Sequence, residues 1–243
     1  MAQNIEVLAD RDALIARALA LVRDKIMAAI RQRDWCAITL AGGGTPQPLY
    51  QALAQESLPW HQIHAFWGDE RYVPADSPDS NQRMAREAWL DRVGVPPGNI
   101  HPMPTEANDP EADARAYEAT LQECFQPAPG EGPRFDLVLL GMGDDGHTAS
   151  LSPQSEAVQV RDRWVTVGRK DGNPRLTLTV PALNQARCVV FLVAGEAKTE
   201  ALQHVFAPDG DEMAYPARAI QPSGELWWLL DGAAGAALEA ERR

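Results

Sequence analysis

Short apolar segments alternate with amphipathic segments along most of the chain, and this alternation constrains the fold more than any other feature. Continuous apolar runs, which predict strands buried on both faces, occur in CAITLAGGG, RFDLVLLGM, CVVFLVAG and ELWWLLD. Residues 10–32 repeat apolar side chains at intervals of three and four, which predicts an amphipathic helix beginning at Asp10 or Asp12. Buried strands joined by helices predict an α/β fold with a mainly parallel sheet that helices cover on both faces.

The remaining segments extend the same alternation. Helices are predicted in PQPLYQALAQ, in SNQRMAREAWLDRV after a cap at Ser80 or Asn81, in DPEADARAYEATLQECF, and from about Glu196. IHAFWGDERYV predicts one further strand, RWVTVG and RLTLTV predict strands in a more irregular middle, and the chain ends in a polar tail. About 35 residues precede CAITL, the first predicted strand. Because the strands need one another as sheet partners, we expect one domain over residues 1–243.

Charge and cysteine content narrow the class of partner and the compartment. The formal net charge is −12 and no lysine or arginine cluster offsets it, which disfavours nucleic acid and anionic membranes as partners. No apolar run approaches the roughly 20 residues of a membrane-spanning helix, and the N-terminus has no basic-then-apolar leader. The three cysteines are odd in number and widely spaced, which predicts unpaired thiols in a reduced compartment. We therefore expect a cytoplasmic protein, in which a phosphorylated substrate requires a local cationic pocket.

Ligands in open parallel sheets bind beyond the carboxyl ends of the strands, and the first such turn here is LAGGGTP. Gly42, Gly43 and Gly44 let the backbone approach an anion closely, and Thr45 adds a hydroxyl donor at the start of a helix. The turn lacks the lysine of a P-loop and the spacing of a dinucleotide fingerprint. The alternative is a tight turn that needs glycine only for its backbone conformation.

The second turn, FWGDERYVP, carries three charged residues in succession. Because neighbouring residues of a strand point to opposite sides, Asp69 and Arg71 are expected on one face and Glu70 on the other. The alternative is a solvated loop with a weak surface ion pair.

The third turn, GMGDDGHTASLSP, crowds Asp144, Asp145 and His147 at a strand end. TASL is able to start a helix, so His147 is expected beside backbone donors, with Asp145 close enough to orient its imidazole. That arrangement is typical of a general base that works near neutral pH. The alternative is a structural histidine that is simply hydrogen-bonded.

Two cations complete the candidate set. Arg175 precedes LTLTVP, and Lys198 lies at a predicted helix start, where it opposes the helix dipole unless an anion balances it or the side chain is exposed. The remaining histidines lack the spacing of zinc ligands, and the cysteines have no C-x-x-C motif, so no metal site is predicted.

Taken together, these turns resemble those of the 6-phosphogluconolactonases. AGGGTP, GDERYVP with SPDSN after it, FDLVLLGMGDDGHTASLSP, RLTLT and VAGEAK occur in that family's order and approximate spacing, from about residue 38 to WWLLD. The resemblance implies an enzyme of the oxidative pentose phosphate pathway that hydrolyses 6-phospho-D-glucono-1,5-lactone to 6-phosphogluconate without a metal or organic cofactor. It also implies a monomer with a three-layer α/β/α sandwich, whose doubly wound, Rossmann-like sheet is related to glucosamine-6-phosphate deaminase and ribose-5-phosphate isomerase.

The same resemblance assigns roles to individual residues. It implies that His147 is the base that activates water, and that Arg71 stabilises the developing oxyanion or holds the lactone. Asp69 lines the site, and either Asp69 or Asp145 supports His147. The positions that correspond to the sugar-phosphate site are Gly43, Gly44, Thr45, Arg175 and Lys198.

Two departures and two rival functions accompany the resemblance. Ala41 stands where the family's loop often has serine, which removes one possible phosphate contact, and Ser152 stands where phenylalanine usually precedes the proline.

Amino-sugar-phosphate deaminases carry DGHIAFNEP and DEY in place of DGHTASLSP and DER, so both motifs favour the lactonase. A sugar-phosphate sensor of a transcriptional regulator is disfavoured, since no basic recognition helix precedes the first predicted strand.

Overall fold

The fold was examined in a computed structural model that describes residues 3–240, without the side chains of residues 239 and 240. Ten strands are described: β1 Gln3–Leu8, β2 Cys36–Leu40, β3 Ile63–Trp67, β4 Asp69–Arg71, β5 Ile100–His101, β6 Leu137–Leu140, β7 Val165–Lys170, β8 Asn173–Leu178, β9 Cys188–Val193 and β10 Glu225–Asp231. Seven helices are described: α1 Arg11–Arg33, α2 Gln47–Leu53, α3 Asn81–Ala88, α4 Pro110–Phe125, α5 Val180–Asn184, α6 Thr199–Phe206 and α7 Gly232–Ala240. Among residues 3–240, no helix combines the length and apolar character that crossing a bilayer requires.

The strands form two sheets. The larger is a seven-stranded sheet in the order β1-β10-β9-β6-β2-β3-β5, and all of its pairings are parallel. The smaller is a three-stranded antiparallel sheet in the order β4-β8-β7. Every residue of β2, β6 and β9 is buried, as continuous apolar runs predict for central strands covered on both faces. The predicted α/β class with a mainly parallel sheet is confirmed.

The direction of the chain through the large sheet reverses once at its centre. From β2 the chain passes through α2 to β3 and then β5, whereas from β6 it passes the other way, to β9 and then β10. Right-handed crossovers place the helices of these two halves on opposite faces, and accordingly α1 contacts α2, α2 contacts α3, and α6 contacts α7. The reversal falls between β2 and β6, where a crevice opens beyond the carboxyl ends of the strands.

Both ends of the described chain contain an element that the sequence analysis did not predict. The first strand is β1, which forms one edge of the large sheet, so the expectation that about 35 residues precede the first strand is wrong. The prediction of a polar tail after β10 is wrong as far as Ala240, because these residues form α7, which contacts β1 and β10. The last residues of that tail, 241–243, lie outside the described part of the chain.

The segment IHAFWGDERYV forms two strands rather than one. β3 belongs to the large sheet, and after Gly68 the chain leaves that sheet, so that β4 pairs antiparallel with β8. The middle of the chain, expected to be irregular, forms a regular hairpin in which β7 pairs with β8. These changes matter for function, because together they build a second sheet above the carboxyl ends of the parallel strands.

Side-chain caps fix where three helices begin. The Asp10 carboxylate accepts a hydrogen bond from Ala13 N at 2.8 Å, which resolves the choice between Asp10 and Asp12. Ser80 Oγ accepts one from Arg83 N, so Ser80 rather than Asn81 caps α3. Asp109 caps α4 as its position before Pro110 predicts. All three cysteines are free, which confirms that the thiols are unpaired.

A cluster of rings at the β5 edge predicts a pH-dependent stability. His64 Nδ1 lies 3.1 Å from His101 Nε2, and the His101 ring stacks on Phe66 at 4.5 Å. Burial, together with the charge of His64, lowers the pKa of His101 from 6.5 to about 4. Since the unfolded chain binds this proton more readily, the contribution is complete above the unfolded pKa and is lost as the pH falls from about 6.5 towards about 4.

We therefore expect acid to destabilise the wild type more than a His101→Gln variant. Between about pH 7.5 and about pH 5, the wild type should lose up to about 2 kcal/mol more of its free energy of unfolding. Urea unfolding at the two pH values measures this difference, and exposed His61, changed to glutamine, is the matched control. Equal losses in the wild type and the His101 variant would contradict the prediction.

Candidate active site

A cavity of about 250 Å³ opens at the point where the direction of the chain reverses. Its floor is formed by the ends of β2, β6 and β9, and its wall by one face of the small sheet. A larger cleft of about 350 Å³ lies at the β1–β10 edge, but Arg218 is the one titratable side chain in its lining and donates to four backbone carbonyls. The smaller cavity therefore holds more titratable side chains than the cleft at the β1–β10 edge.

The glycine turn after β2 forms one side of this cavity. Gly42, Gly43, Gly44 and Thr45 all line it, as the anion-binding interpretation requires. Gly43 has a φ of 91°, so the tight-turn interpretation also applies at that residue. Arg11 Nη2 donates to the carbonyl of Gly44 at 2.5 Å, which ties the turn to the first residue of α1.

The small sheet presents alternate residues to the cavity. Asp69 and Arg71 line it, whereas Glu70 points to the other side and accepts hydrogen bonds from the backbone N of Asn81 and Gln82 at the start of α3. The structure thus places Asp69 and Arg71 on one face, as the sequence predicts for adjacent strand positions. The buried Glu70 stabilises the first turn of α3, and its negative charge complements the helix dipole.

Two arginines lie directly opposite each other on this face. In the register of β4 and β8, Arg71 pairs with Arg175, and both side chains line the cavity. Like charges in directly opposite positions destabilise a sheet unless a negative charge lies between or beside them. Among the side chains that the structure describes, no carboxylate forms an ion pair with either arginine. The two guanidinium groups therefore leave positive charge on this wall of the cavity, which nearby Asp69 offsets only in part.

Asp69 is a nearly buried carboxylate, only 7% exposed. Its Oδ2 accepts a hydrogen bond from Ser150 Oγ at 2.6 Å. Burial raises the pKa of Asp69, although the Ser150 hydrogen bond and the charges of Arg175, His147 and Arg71 act in the opposite direction. Asp69 therefore lies within electrostatic reach of Arg175, Arg71 and His147 without forming a direct pair with His147.

His147 is paired with Asp145. His147 Nδ1 lies 2.5 Å from Asp145 Oδ1, and the same carboxylate oxygen accepts the backbone N–H of His147 at 3.0 Å. The His147 side chain is 19% exposed and lines the cavity, while Asp145 is 45% exposed behind it. Burial raises the pKa of Asp145, but the hydrogen bonds from His147 and the charges of His147 and Lys170 lower it overall. The carboxylate therefore remains ionised beside the imidazole.

The segment that follows His147 is a turn and not a helix, so the expectation that TASL starts a helix is wrong. Thr148 and Leu151 form an isolated antiparallel bridge, and Ala149 between them has a φ of 47°. This left-handed residue turns the chain towards the small sheet, where Ser150 N donates to Thr177 Oγ1 and its hydroxyl to Asp69. The turn thereby connects the His147 side of the cavity with the Asp69 side.

Gly143 provides the space in which the His147–Asp145 pair lies. A methyl group built on Gly143 would come within 2.1 Å of His147 Nδ1 and 2.5 Å of Asp145 Oδ1. Its φ lies outside the left-handed region, so glycine is needed here for close approach rather than for backbone conformation.

Lys198 lies just before α6 and lines the cavity opposite the small sheet. The turn that carries it is held by Asp231 at the end of β10, whose carboxylate accepts a hydrogen bond from Gly195 N at 3.0 Å. Asp144, the remaining acidic residue of the motif, is exposed and does not line the cavity. Within residues 3–240, no group of three or more histidine, cysteine or acidic side chains is arranged to hold a metal ion.

Sequence reasoning missed three polar residues around the cavity: Asn81, Ser150 and Lys170. Lys170 had a recognisable signal, because Asp171-Gly172 is a two-residue hairpin turn that fixes the pairing of the residues on either side. Asn81 and Ser150 had none, since each reaches the site through a change of chain direction, at the start of α3 and at Ala149.

Comparison with known proteins gives a consistent result. A family model described as glucosamine-6-phosphate isomerases/6-phosphogluconolactonase matches residues 9–228. A 6-phosphogluconolactonase from Nostoc sp. is 59% identical over 98% of this chain and 99% of its own, and one from Synechocystis sp. is 60% identical over 97% and 98%. The solved structure of 6-phosphogluconolactonase from Trypanosoma brucei is similar with a TM-score of 0.85 at 32% identity, covering 98% of this chain and 99% of that one.

Proposed function

Because the chain belongs to the glucosamine-6-phosphate isomerase/6-phosphogluconolactonase family, and within it to the 6-phosphogluconolactonases, we propose that it hydrolyses 6-phospho-D-glucono-1,5-lactone with His147 as general base. The observation that carries the assignment of the base is the His147–Asp145 pair, whose imidazole lines a cavity that is also lined by cations without ion pairs. The product is 6-phosphogluconate, formed in the oxidative branch of the pentose phosphate pathway.

The hydrogen bond to Asp145 determines which nitrogen of His147 acts. Nδ1 lies against the carboxylate and carries the proton that the ionised Asp145 accepts, so Nε2 is left unprotonated. Nε2 then removes a proton from water as the water oxygen attacks C1 of the lactone. Asp145 stabilises the imidazolium that forms, and Asp69 is engaged by Ser150 instead.

The rest of the reaction requires charge stabilisation and a proton for the leaving group. Attack places a negative charge on the carbonyl oxygen, for which Arg71 supplies a positive charge at the cavity wall. The C1–O5 bond then breaks, and the imidazolium returns its proton to the departing ring oxygen. Because a lactone is an activated ester, a base and a charge donor suffice, and no covalent intermediate on the protein is needed.

The phosphate is assigned to the cationic part of the cavity. Arg175 and Lys198 supply positive charge, and the turn Gly43, Gly44 and Thr45 supplies backbone and hydroxyl donors. Asp69 lies beside the arginines and offsets part of their mutual repulsion while no ligand is bound. With a net charge of −12, the average field of the protein repels a phosphorylated substrate, so binding requires a local group of cations such as this one.

The proposal is tested by comparing the wild type with Asp145→Asn and Asp144→Asn variants on freshly generated 6-phosphogluconolactone. The wild type should open the lactone faster than the spontaneous rate, and Asp145→Asn should lower kcat by up to about 10²-fold, because the imidazole loses its orientation. Exposed Asp144 is the matched control and should change little. A wild type that does not exceed the spontaneous rate would contradict the proposed reaction.

The same proposal covers the organisation of the protein: one domain over residues 1–243, acting as a monomer in the cytoplasm. One hydrophobic core that includes residues from Leu14 to Ala234 supports the single domain. The three free cysteines support a reduced compartment.

A further inference from the structure

Lys170 is a cation of the cavity wall that belongs to none of the groups assigned above. It is the last residue of β7 and lines the cavity. In the register of the hairpin, Gly168 lies directly opposite Arg175, and Lys170 follows two residues after Gly168. Residues two apart on a strand point to the same face, so Lys170 and Arg175 are diagonal neighbours on the face that meets the cavity.

The hairpin that carries Lys170 is held in place on the turn that contains His147. Ser152 Oγ donates to the carbonyl of Arg169 at 3.0 Å. Gly168 packs so closely on the same segment that a methyl group built on it would come within 2.3 Å of the Ser150 carbonyl oxygen. Lys170 is thus carried by an anchored strand end rather than by a free loop.

No ion pair among the described side chains neutralises Lys170 or two other cations of the cavity. Among the side chains that the structure describes, Lys170 forms no ion pair, and neither does Arg175 or Lys198. The charge of Lys170 helps to lower the pKa of Asp145, so the ammonium lies within electrostatic reach of the His147–Asp145 pair. Lys170, Arg175 and Lys198 line one cavity, and their positive charge exceeds what nearby Asp69 offsets, which suits a dianionic group such as a phosphate monoester.

From this geometry we propose that Lys170 binds the substrate phosphate together with Arg175, and thereby determines the preference for phosphorylated over unphosphorylated lactones. The inference rests on the proposed function and deepens it. Arg175 recognises the phosphate through its planar guanidinium, whereas Lys170 contributes a flexible point charge at the rim. A residue with this role affects the binding of substrate more than the chemical step.

The experiment compares Lys170→Met and Arg169→Met with the wild type on two substrates, 6-phosphogluconolactone and D-glucono-1,5-lactone. Arg169 is a matched control, because it is the adjacent cation, is exposed and points to the opposite face of the hairpin. Lys170→Met should lower kcat/KM for the phosphorylated lactone by about 10-fold to 100-fold, mainly through KM, and lower kcat/KM for the unphosphorylated lactone much less. Lys170→Arg should recover part of the loss, since it restores the charge.

Three kinetic results would overturn the inference. Equal losses on both lactones, or a fall in kcat at unchanged KM, would assign Lys170 to the reaction centre instead of the phosphate. An effect of Arg169→Met as large as that of Lys170→Met would mean that both losses reflect long-range attraction by net charge and not a contact between Lys170 and the phosphate.

Calorimetry with the reaction products separates this inference from the proposed function. The wild type should bind 6-phosphogluconate more tightly than gluconate, and Lys170→Met should weaken only the binding of 6-phosphogluconate. If the wild type opens neither lactone but retains this Lys170-dependent difference, the proposed reaction fails while the phosphate assignment stands. If Lys170→Met binds 6-phosphogluconate as tightly as the wild type does, the phosphate assignment fails.

Discussion

Replacing His147 with alanine is expected to lower kcat for lactone hydrolysis by about 10²-fold to 10⁴-fold, the range typical for the loss of a general base. The reason is local: the imidazole is the titratable group of the motif that lines the cavity, and Asp145 already holds its Nδ1. KM should change much less, because Arg175 and Lys198, the cations proposed to bind the phosphate, remain in place. The free energy of unfolding should also change little, since the ring is partly exposed and forms no part of the hydrophobic core.

The measurement is initial-rate hydrolysis with the spontaneous opening subtracted, after thermal unfolding has established that the variant is folded. His61→Ala is the matched control, since His61 is exposed and lies outside the cavity. A folded His147→Ala variant with the wild-type kcat would remove His147 from the mechanism. Retention of kcat together with a large rise in KM would instead make it a binding residue.

The sequence best predicts those elements in which the local pattern of apolar residues matches the burial of the element in the fold. β2, β6 and β9 are continuous apolar runs because helices cover both of their faces. β1 was missed for the opposite reason: it is a half-exposed edge strand, and QNIEVL has neither a continuous apolar run nor strong turn signals at its ends. α7 was missed because GAAGAALEA, although rich in alanine, has two glycines among its first four residues and no amphipathic pattern. Asp231 caps it, and contacts with β1 and β10 stabilise it.

The candidate site shows the same division between local and long-range information. Local spacing predicts that Asp69 and Arg71 share a face and that Asp145 approaches His147, because both relations span two residues. It does not predict that Arg71 lies opposite Arg175, since the two are distant in sequence and meet only because β4 leaves the large sheet at Gly68.

The two sheets carry different parts of the candidate site. The ends of the parallel strands carry the glycine turn and the His147 turn, while the antiparallel sheet carries Asp69, Arg71 and Arg175. The proposed base and two of the cations proposed to contact the substrate, Arg71 and Arg175, are thus held on different sheets, whereas Lys198 follows a parallel strand.

Replacing Gly143 with alanine is expected to abolish most of the activity although Gly143 contributes no functional group. The added methyl would lie about where the His147 ring and the Asp145 carboxylate now meet, so the pair has to separate or move. Displacement of a reacting group by about 1 Å can lower the rate by about 10²-fold. If the imidazole is displaced completely, the loss should approach that expected for His147→Ala. The backbone at Gly143 is compatible with alanine, so the variant should fold.

A double-mutant cycle distinguishes this steric mechanism from a general disturbance of the turn. If Gly143→Ala acts only by displacing His147, adding it to His147→Ala should lower kcat no further, because the group it displaces is already absent. Gly94→Ala is the control, since a methyl group built there meets no other atom within 4 Å and Gly94 lies outside the cavity. A further loss of activity in the double variant would mean that Gly143 supports another part of the site, such as a backbone donor that its neighbours present to the substrate.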